Sequence, residues 1–250
     1  HNGAGKSTLM KMLAGAYQPD GGELLLDGQP IHLRDPLHGQ TYGIGTVYQE
    51  VNLLPNRSVA ENLFLGRQPT RLGMVDSKRI DAAAKDLLSR YGLTIDVRAE
   101  LSEYSVAVQQ IVAIARAVEL SGKVLVLDEP TASLDRNEVQ RLFDVVRGLK
   151  AKGLAIIFIT HFLDQVFDLA DRVTILRNGK RVSTQPLTAV NTTDVVRMML
   201  GKDVAFDHHP SALSGAAKGQ VRVQFTALAR KGLAPFDLSV HEGEVVGVAG

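Results

Sequence analysis

The stretch that decides the fold is His1-Asn2-Gly3-Ala4-Gly5-Lys6-Ser7-Thr8-Leu9-Met10. A phosphate-binding loop needs a glycine, four free positions, then Gly-Lys-Ser/Thr opening a helix. Gly5, Lys6 and Ser7 supply the end of that pattern, and the first glycine would sit one place before His1. The physical reason for the pattern is anion capture. Backbone N–H groups of Asn2, Gly3, Ala4, Gly5 and Lys6 can wrap a phosphate, and the following helix turns its positive end toward it. Lys6 adds a full charge near the outer phosphates, the Ser7 hydroxyl suits a hard Mg²⁺ ion, and Thr8 completes the set. The bland alternative is a Gly-rich turn before any helix.

A second motif weighs against that alternative. VLVLDEP, residues 124–130, places Asp128 and Glu129 at the carboxyl end of a buried strand, where open α/β sheets bind ligands. Asp128 is suited to hold Mg²⁺ through a water, and Glu129 to polarise a water attacking a terminal phosphate. Gln49 follows the strand-like GTVY, where its amide can reach the metal or that water. His161 closes the apolar run AIIFIT, where a side chain can contact a γ-phosphate, although a lone His is usually structural. Ser133, Leu134 and Asp135 can cap the helix that starts near Asn137; a subunit contact is compatible with that role.

Composition sets the outer bounds. The 250 residues are 45% hydrophobic and 22% charged, which is the make-up of an ordinary soluble globular protein. Lys and Arg (28) nearly balance Asp and Glu (27), and the net charge of +1 gives no reason to expect a nucleic-acid partner. Cysteine is absent, so disulfides, thiolate metal sites and cysteine nucleophiles are excluded. Apolar runs such as 124–127 and 154–159 are far shorter than a membrane span and suit buried strands.

Along the chain, helical character over 6–16 gives way to a turn at 19–22, a short strand at 23–26 and a strand at 45–48. Residues 59–120 are mostly helical, and Ser77 can cap a helix with Ile80, Ala84, Leu87, Leu88 and Tyr91 on one face. Strand 123–127, helix 138–150, strand 155–159, helix 163–170 and strand 172–176 then alternate, ending at an Asn178–Gly179 turn. That alternation predicts a parallel sheet covered on both faces. Residues 205–220 are small and polar without a period and read as a linker. Strand character resumes with Val221, Val223 and Phe225, then Phe236, Leu238 and Val240, before a last strand at 244–249.

Taken together, NGAGKST, TVYQE, QQIVAIARA, VLVLDEPTASLD and ITHFLDQV resemble the ATP-binding-cassette (ABC) family in order and spacing. The resemblance implies an α/β P-loop NTPase fold: a mostly parallel sheet, an inserted helical subdomain at about 57–120, and a small antiparallel β part. It also implies Mg²⁺ and ATP as ligands. The phosphate loop and Lys6 would hold phosphates; Ser7, Gln49 and Asp128 would arrange the metal. Glu129 would activate water, and His161 would sense the γ-phosphate. The family signature, Leu-Ser-Gly-Gly-Gln, falls on Tyr104, Ser105, Val106, Ala107 and Val108, of which only Ser105 survives. That segment contacts ATP held by the opposite ATPase half, so the altered site is expected to be weak; Ser105, Ser133 and Asp135 would lie at this cassette–cassette contact.

The departure resembles the ATPase subunits of bacterial monosaccharide importers that carry two cassettes in one chain, and YSVAVQQIVAIARAV is most like their galactofuranose-type members. The implied arrangement is a first cassette at 1–204, a linker at 205–220 and the first strands of a second cassette at 221–250. The chain would thus be cut at equivalent points of the two cassettes, and residues 244–249 would fold back beside 124–127. Implied partners are transmembrane permease subunits, the second cassette and, indirectly, a periplasmic sugar-binding protein, at the cytoplasmic face of the bacterial inner membrane. A different reading, an ABC protein acting on nucleic acid or ribosomes, would call for a basic arm or charged linker, and 205–220 is short and nearly neutral.

Overall fold

The computed structural model describes residues 4–49, 52–71, 73–201, 221–230 and 233–241. The chain divides into two units, His1–Lys202 and Asp203–Gly250.

In the first unit, α1 (Lys6–Leu13) is followed by a hairpin of β1 (Leu24–Leu26) and β2 (Gln29–Ile31), then α2 (Pro36–Thr41) and β3 (Ile44–Val47). A helical stretch comes next: α3 (Val59–Phe64), the two-residue strands β4 (Thr70–Arg71) and β5 (Met74–Val75), α4 (Ser77–Ser89) and α5 (Val106–Leu120). The chain then alternates through β6 (Val124–Asp128), α6 (Arg136–Ala151), β7 (Ala155–Ile159) and α7 (Leu163–Leu169). A hairpin of β8 (Arg172–Arg177) and β9 (Lys180–Pro186) and a last helix, α8 (Thr192–Leu200), close the unit.

β3, β6 and β7 form a parallel sheet with β6 in the middle, pairing Val47 with Leu127 and Asp128 with Ile159. The central strand is apolar on both faces because both are covered. Its pleat sends Leu125 and Leu127 into a cluster with Ile111, Ile114, Leu142 and Val146 from α5 and α6. Val126 points the other way and packs with Met10 of α1, Leu33 and Ile44. Gly45 lets α5 close on the sheet: a Cβ there would stand 2.4 Å from Ser121 Oγ and 2.9 Å from the Ala117 carbonyl oxygen.

The helical stretch has a core of its own, built from Val59, Leu63, Ile80, Leu87, Leu88, Val97, Leu101 and Val112. Two of its helices, α3 and α4, start where side chains cap them. Ser58 and Glu61 form a reciprocal capping box on α3. On α4 the cap is Asp76, whose carboxylate accepts from the Arg79 N–H at 3.1 Å, and the expected cap Ser77 is the first helical residue instead. Asp76 stands at the position from which a short side chain reaches the third helical amide, which Ser77 cannot do from inside the turn.

β8 and β9 turn on Asn178 and Gly179, both with positive φ (51° and 73°), the backbone that a two-residue type I′ hairpin requires. The hairpin rests on α7 and α8 through Val173, Ile175, Val195, Phe167 and Met198. In the second unit, β10 (Val221–Arg230) and β11 (Leu233–His241) pair antiparallel, with Val223 opposite Val240 and Phe225 opposite Leu238. The expected α/β class, with a parallel sheet, a helical insertion and antiparallel β parts, is therefore the observed one. Residues 205–220 and 244–249, with the fold-back expected of the latter, lie outside the described residues. Among the described residues no helix is long and apolar enough to cross a membrane.

Candidate functional site

The candidate site begins where α1 starts. Its N-cap, Gly5, has φ 97°, a left-handed conformation that glycine adopts without a Cβ penalty. This sharp entry turns residues 4–6 into the helix, where the Leu9 N–H donates to the Gly5 carbonyl at 3.0 Å. The first amides of a helix have no intrahelical partner. Here no side chain caps them and the first turn carries no acid, so the positive end is open to an anion. Lys6 is half-buried, Ser7 and Thr8 are exposed, and Ala4 begins the described part of the loop. Asn2 and Gly3 lie outside it.

The acidic pair comes from the end of β6. Asp128 is the last strand residue, and Glu129 turns the chain with φ 47°. A left-handed backbone at a non-glycine residue costs roughly 1–2 kcal/mol. Packing and hydrogen bonds hold it there: the Glu129 N–H donates to the Ile159 carbonyl at 2.8 Å, tying the ends of β6 and β7. The Glu129 carboxylate Oε2 accepts from His161 Nδ1 at 2.8 Å, with the Glu129 side chain 19% exposed and that of His161 49%. With Nδ1–H donating, the imidazole keeps Nε2 for a second contact.

A buried bridge fixes these two loops against each other. Gln165 of α7 accepts at Oε1 from Thr131 Oγ1 at 2.6 Å and from Thr160 Oγ1 at 3.4 Å. Thr131 is two residues past Glu129 and Thr160 is one before His161, so the bridge sets the spacing of the Glu129–His161 pair. Sequence reading missed Gln165, and its only sequence-level signal is a polar residue on the inward face of a short amphipathic helix.

Charge is arranged asymmetrically. Burial first, and the Glu129 charge second, push the Asp128 carboxyl above its ordinary range, while Lys6 pulls it back. Burial and then Asp128 raise the Tyr48 phenol, against Lys11. Asp128 thus stands among groups that favour added positive charge. Among the described residues no cluster of three His, Cys, Asp or Glu groups gathers. Mg²⁺ asks for none, since it is normally held by one or two carboxylates, waters and substrate phosphates. The Asp128 carboxylate and the exposed Ser7 hydroxyl are hard oxygen donors of that kind.

Gln49, Glu129 and Ser133 line one cleft of about 340 Å³, together with Val106, Gln109 and Gln110. Gln110 is 4% exposed, and its Oε1 has no hydrogen-bond partner among the described residues. Asp135 accepts from the N–H groups of Asn137 (2.8 Å) and Glu138 (2.9 Å) as the N-cap of α6, as the capping reading expects. Ser105 is the exposed N-cap of α5 and makes no side-chain capping bond.

A family model described as ABC transporter matches residues 1–132. The chain belongs to the ABC transporter family. The galactofuranose transporter ATP-binding protein of Escherichia coli is 50% identical over 252 aligned residues, covering all of this chain and 50% of that protein. A ribose import ATP-binding protein of Rubrobacter xylanophilus is 45% identical over 250 residues, again with the whole chain matched and 49% of that protein. The chain spans about half the length of the curated relatives it matches. Among solved structures, an ATP-binding cassette of an ABC transporter in its ADP conformation is 26% identical with a TM-score of 0.68, over 80% of this chain and 85% of that one.

Within this ABC cassette the altered signature is visible as side chains. Val106 stands where the family pattern has its first glycine; it is 42% exposed and lines the cleft, while Ala107 is buried at 4%. A backbone that must approach a phosphate closely is served by glycine, and a valine isopropyl group adds bulk at that point.

Proposed function

We propose that this cassette binds Mg²⁺–ATP and hydrolyses it to power import of a monosaccharide, as part of the ATPase subunit of an ABC transporter. The observation that carries the reading is the Glu129–His161 pair, 2.8 Å apart just beyond the ends of β6 and β7. Lys6, at the start of α1, acts electrostatically on the neighbouring Asp128. The names of the galactofuranose and ribose relatives support the sugar.

In this reading the loop amides of residues 2–6 and Lys6 hold the phosphates, with Ser7 and Thr8 behind them. Ser7, Gln49 and Asp128 hold Mg²⁺, which, when bound, neutralises charge on the phosphates and orients them. Glu129 accepts a proton from the attacking water at a carboxylate oxygen. His161 orients that carboxylate through Nδ1–H and, as the imidazolium, donates Nε2–H to the γ-phosphate. Ser105, Ser133 and Asp135 face a second cassette. Residues 1–204 form the first cassette with a helical subdomain at about 57–120, residues 205–220 link it, and 221–250 begin the second. Permease subunits dock near residues 47–66, around Gln49, a periplasmic sugar-binding protein acts through them, and the assembly works at the cytoplasmic face of the inner membrane.

The altered signature sharpens the test. A signature serves ATP bound to the opposite half, so residues 104–108 weaken the partner's site and leave the Glu129 site as the productive one. Glu129→Gln in the full-length protein is expected to keep Mg²⁺–ATP binding and to cut turnover by about 10²–10⁴-fold, the range for losing a general base. Undiminished hydrolysis, with or without the membrane subunits, would remove Glu129 from this role.

A further inference from the structure

The Asn178–Gly179 turn does more than join β8 to β9. In a two-residue hairpin the bond that closes the turn is donated by the residue after it, here Lys180 opposite Arg177. The Gly179 N–H is not needed for that. It donates instead to the Ala4 carbonyl, 3.1 Å away, across 175 positions of sequence. The approach is tight: a Cβ on Gly5 would stand 3.3 Å from Gly179 Cα. The tip of the hairpin therefore lies directly against the loop that opens α1.

This bond has a geometric consequence. A trans peptide is planar, with its C=O and N–H pointing in opposite directions. Holding the Ala4 carbonyl toward the hairpin thus aims the N–H of Gly5, in the same peptide unit, away from the hairpin, and the nucleotide-site reading puts the phosphates on that side. A flipped Ala4–Gly5 peptide would turn an oxygen toward the phosphates. The hairpin is a firm base for this task. It packs on α7 and α8 through Ile175, Val173 and Val195, and Arg177 Nη1 donates to the Met198 carbonyl at 3.1 Å.

We infer that Gly179 is a positioning residue for the phosphate loop: its N–H fixes the Ala4–Gly5 peptide in the orientation that binds phosphate. The inference rests on the nucleotide-site reading above and adds to it a residue far outside the loop.

Residue-resolved amide exchange in the full-length protein tests it. Gly179 is exposed in the turn, yet its amide should exchange slowly; exchange at the rate of an unbonded amide overturns the proposal. Titration with Mg²⁺–ATP, read as protection of residues 4–13, then reports this site alone. Inserting one glycine after Gly179 moves the donor while leaving a three-residue turn that hairpins accept. The midpoint should rise by roughly tenfold, the scale of one lost hydrogen bond, with the rise in KM and little change in kcat. Gly179→Asn keeps the N–H and tolerates positive φ, and a side chain there meets open space, so it should titrate as the unaltered protein does. Equal midpoints for the insertion and the unaltered protein overturn the role of Gly179. A loop left unprotected by Mg²⁺–ATP in the unaltered protein overturns the nucleotide site itself.

Discussion

At the scale of single residues, Asp128 and Glu129 are adjacent acids with different surroundings. Glu129 has His161 at 2.8 Å, whereas Asp128 is raised by burial and by Glu129, with only Lys6 opposing. A carboxyl whose folded-state pKa is raised holds its proton to higher pH than in the unfolded chain. Stability is therefore lost as pH climbs from the ordinary value of 3.8 through the raised value, and the penalty stays in force above it. Asp128→Asn removes the charge that is penalised. In chelator, without nucleotide, its melting temperature should exceed that of the unaltered protein at neutral pH, and the two should converge below pH 3.8. Its Mg²⁺-dependent ATPase should fall by about 10²-fold or more, the scale seen when stabilisation of developing charge is removed. A variant less stable at pH 7 than its parent would mean that Asp128 is already compensated. An apolar strand ending in acids is by itself often just a polar turn; the acidic end was legible because a phosphate loop occurs in the same chain, and the two are hard to explain separately. The φ of 47° at Glu129 and the Ala4–Gly179 bond were not, since both are set by what other segments place beside them.

At the scale of elements, Asp135 is the N-cap of α6, and the proposed cassette contact would give the same side chain a second role. Asp135 satisfies two amides of the first turn and receives Glu138 in return: its own N–H donates to Glu138 Oε2 at 3.2 Å. Asp135→Ala should cost about 1 kcal/mol in chemical denaturation, the usual loss for an N-cap. Asp135→Asn retains a good capping oxygen and should stay within about 0.5 kcal/mol of the parent. ATPase that falls in Asp135→Asn despite intact stability would separate the cassette contact from the cap; loss of stability in both would show that the negative charge is needed for the cap. Elements with a strong single-strand signal were read closely: the run 155–159 has the same bounds in sequence and structure, and the helix expected at 138–150 is the inner part of α6. β9 was harder to see. Its sequence, KRVSTQP, has no apolar alternation because most of it is exposed, and it becomes a strand only by pairing with β8.

At the scale of the first unit, the described residues carry separate apolar cores that share a seam. The helical core centres on Leu63, Leu88 and Val112, and the sheet core on Leu125, Leu127 and Leu142; Leu53, Tyr91 and Leu93 pack against both. Burial raises the Tyr91 phenol, with the Glu119 charge adding to it, as expected of a ring held between two apolar surfaces. Cores joined by a narrow seam can open one at a time, because opening free energies follow local packing density. Leu63 and Leu142 are each fully buried in a single core. Leu63→Ala, at a cost of about 2–5 kcal/mol, should speed native-state amide exchange in α3 and α4 and leave β6 and α6 nearly unchanged. Leu142→Ala should do the reverse. Tyr91→Ala should raise exchange on both sides by a smaller amount, because each core loses only part of a side chain. Uniform loss of protection in all three variants would show one cooperative core instead. The helical segment would then be unable to move as a separate body, and any transmission of nucleotide state through 57–120 would have to pass by way of the sheet.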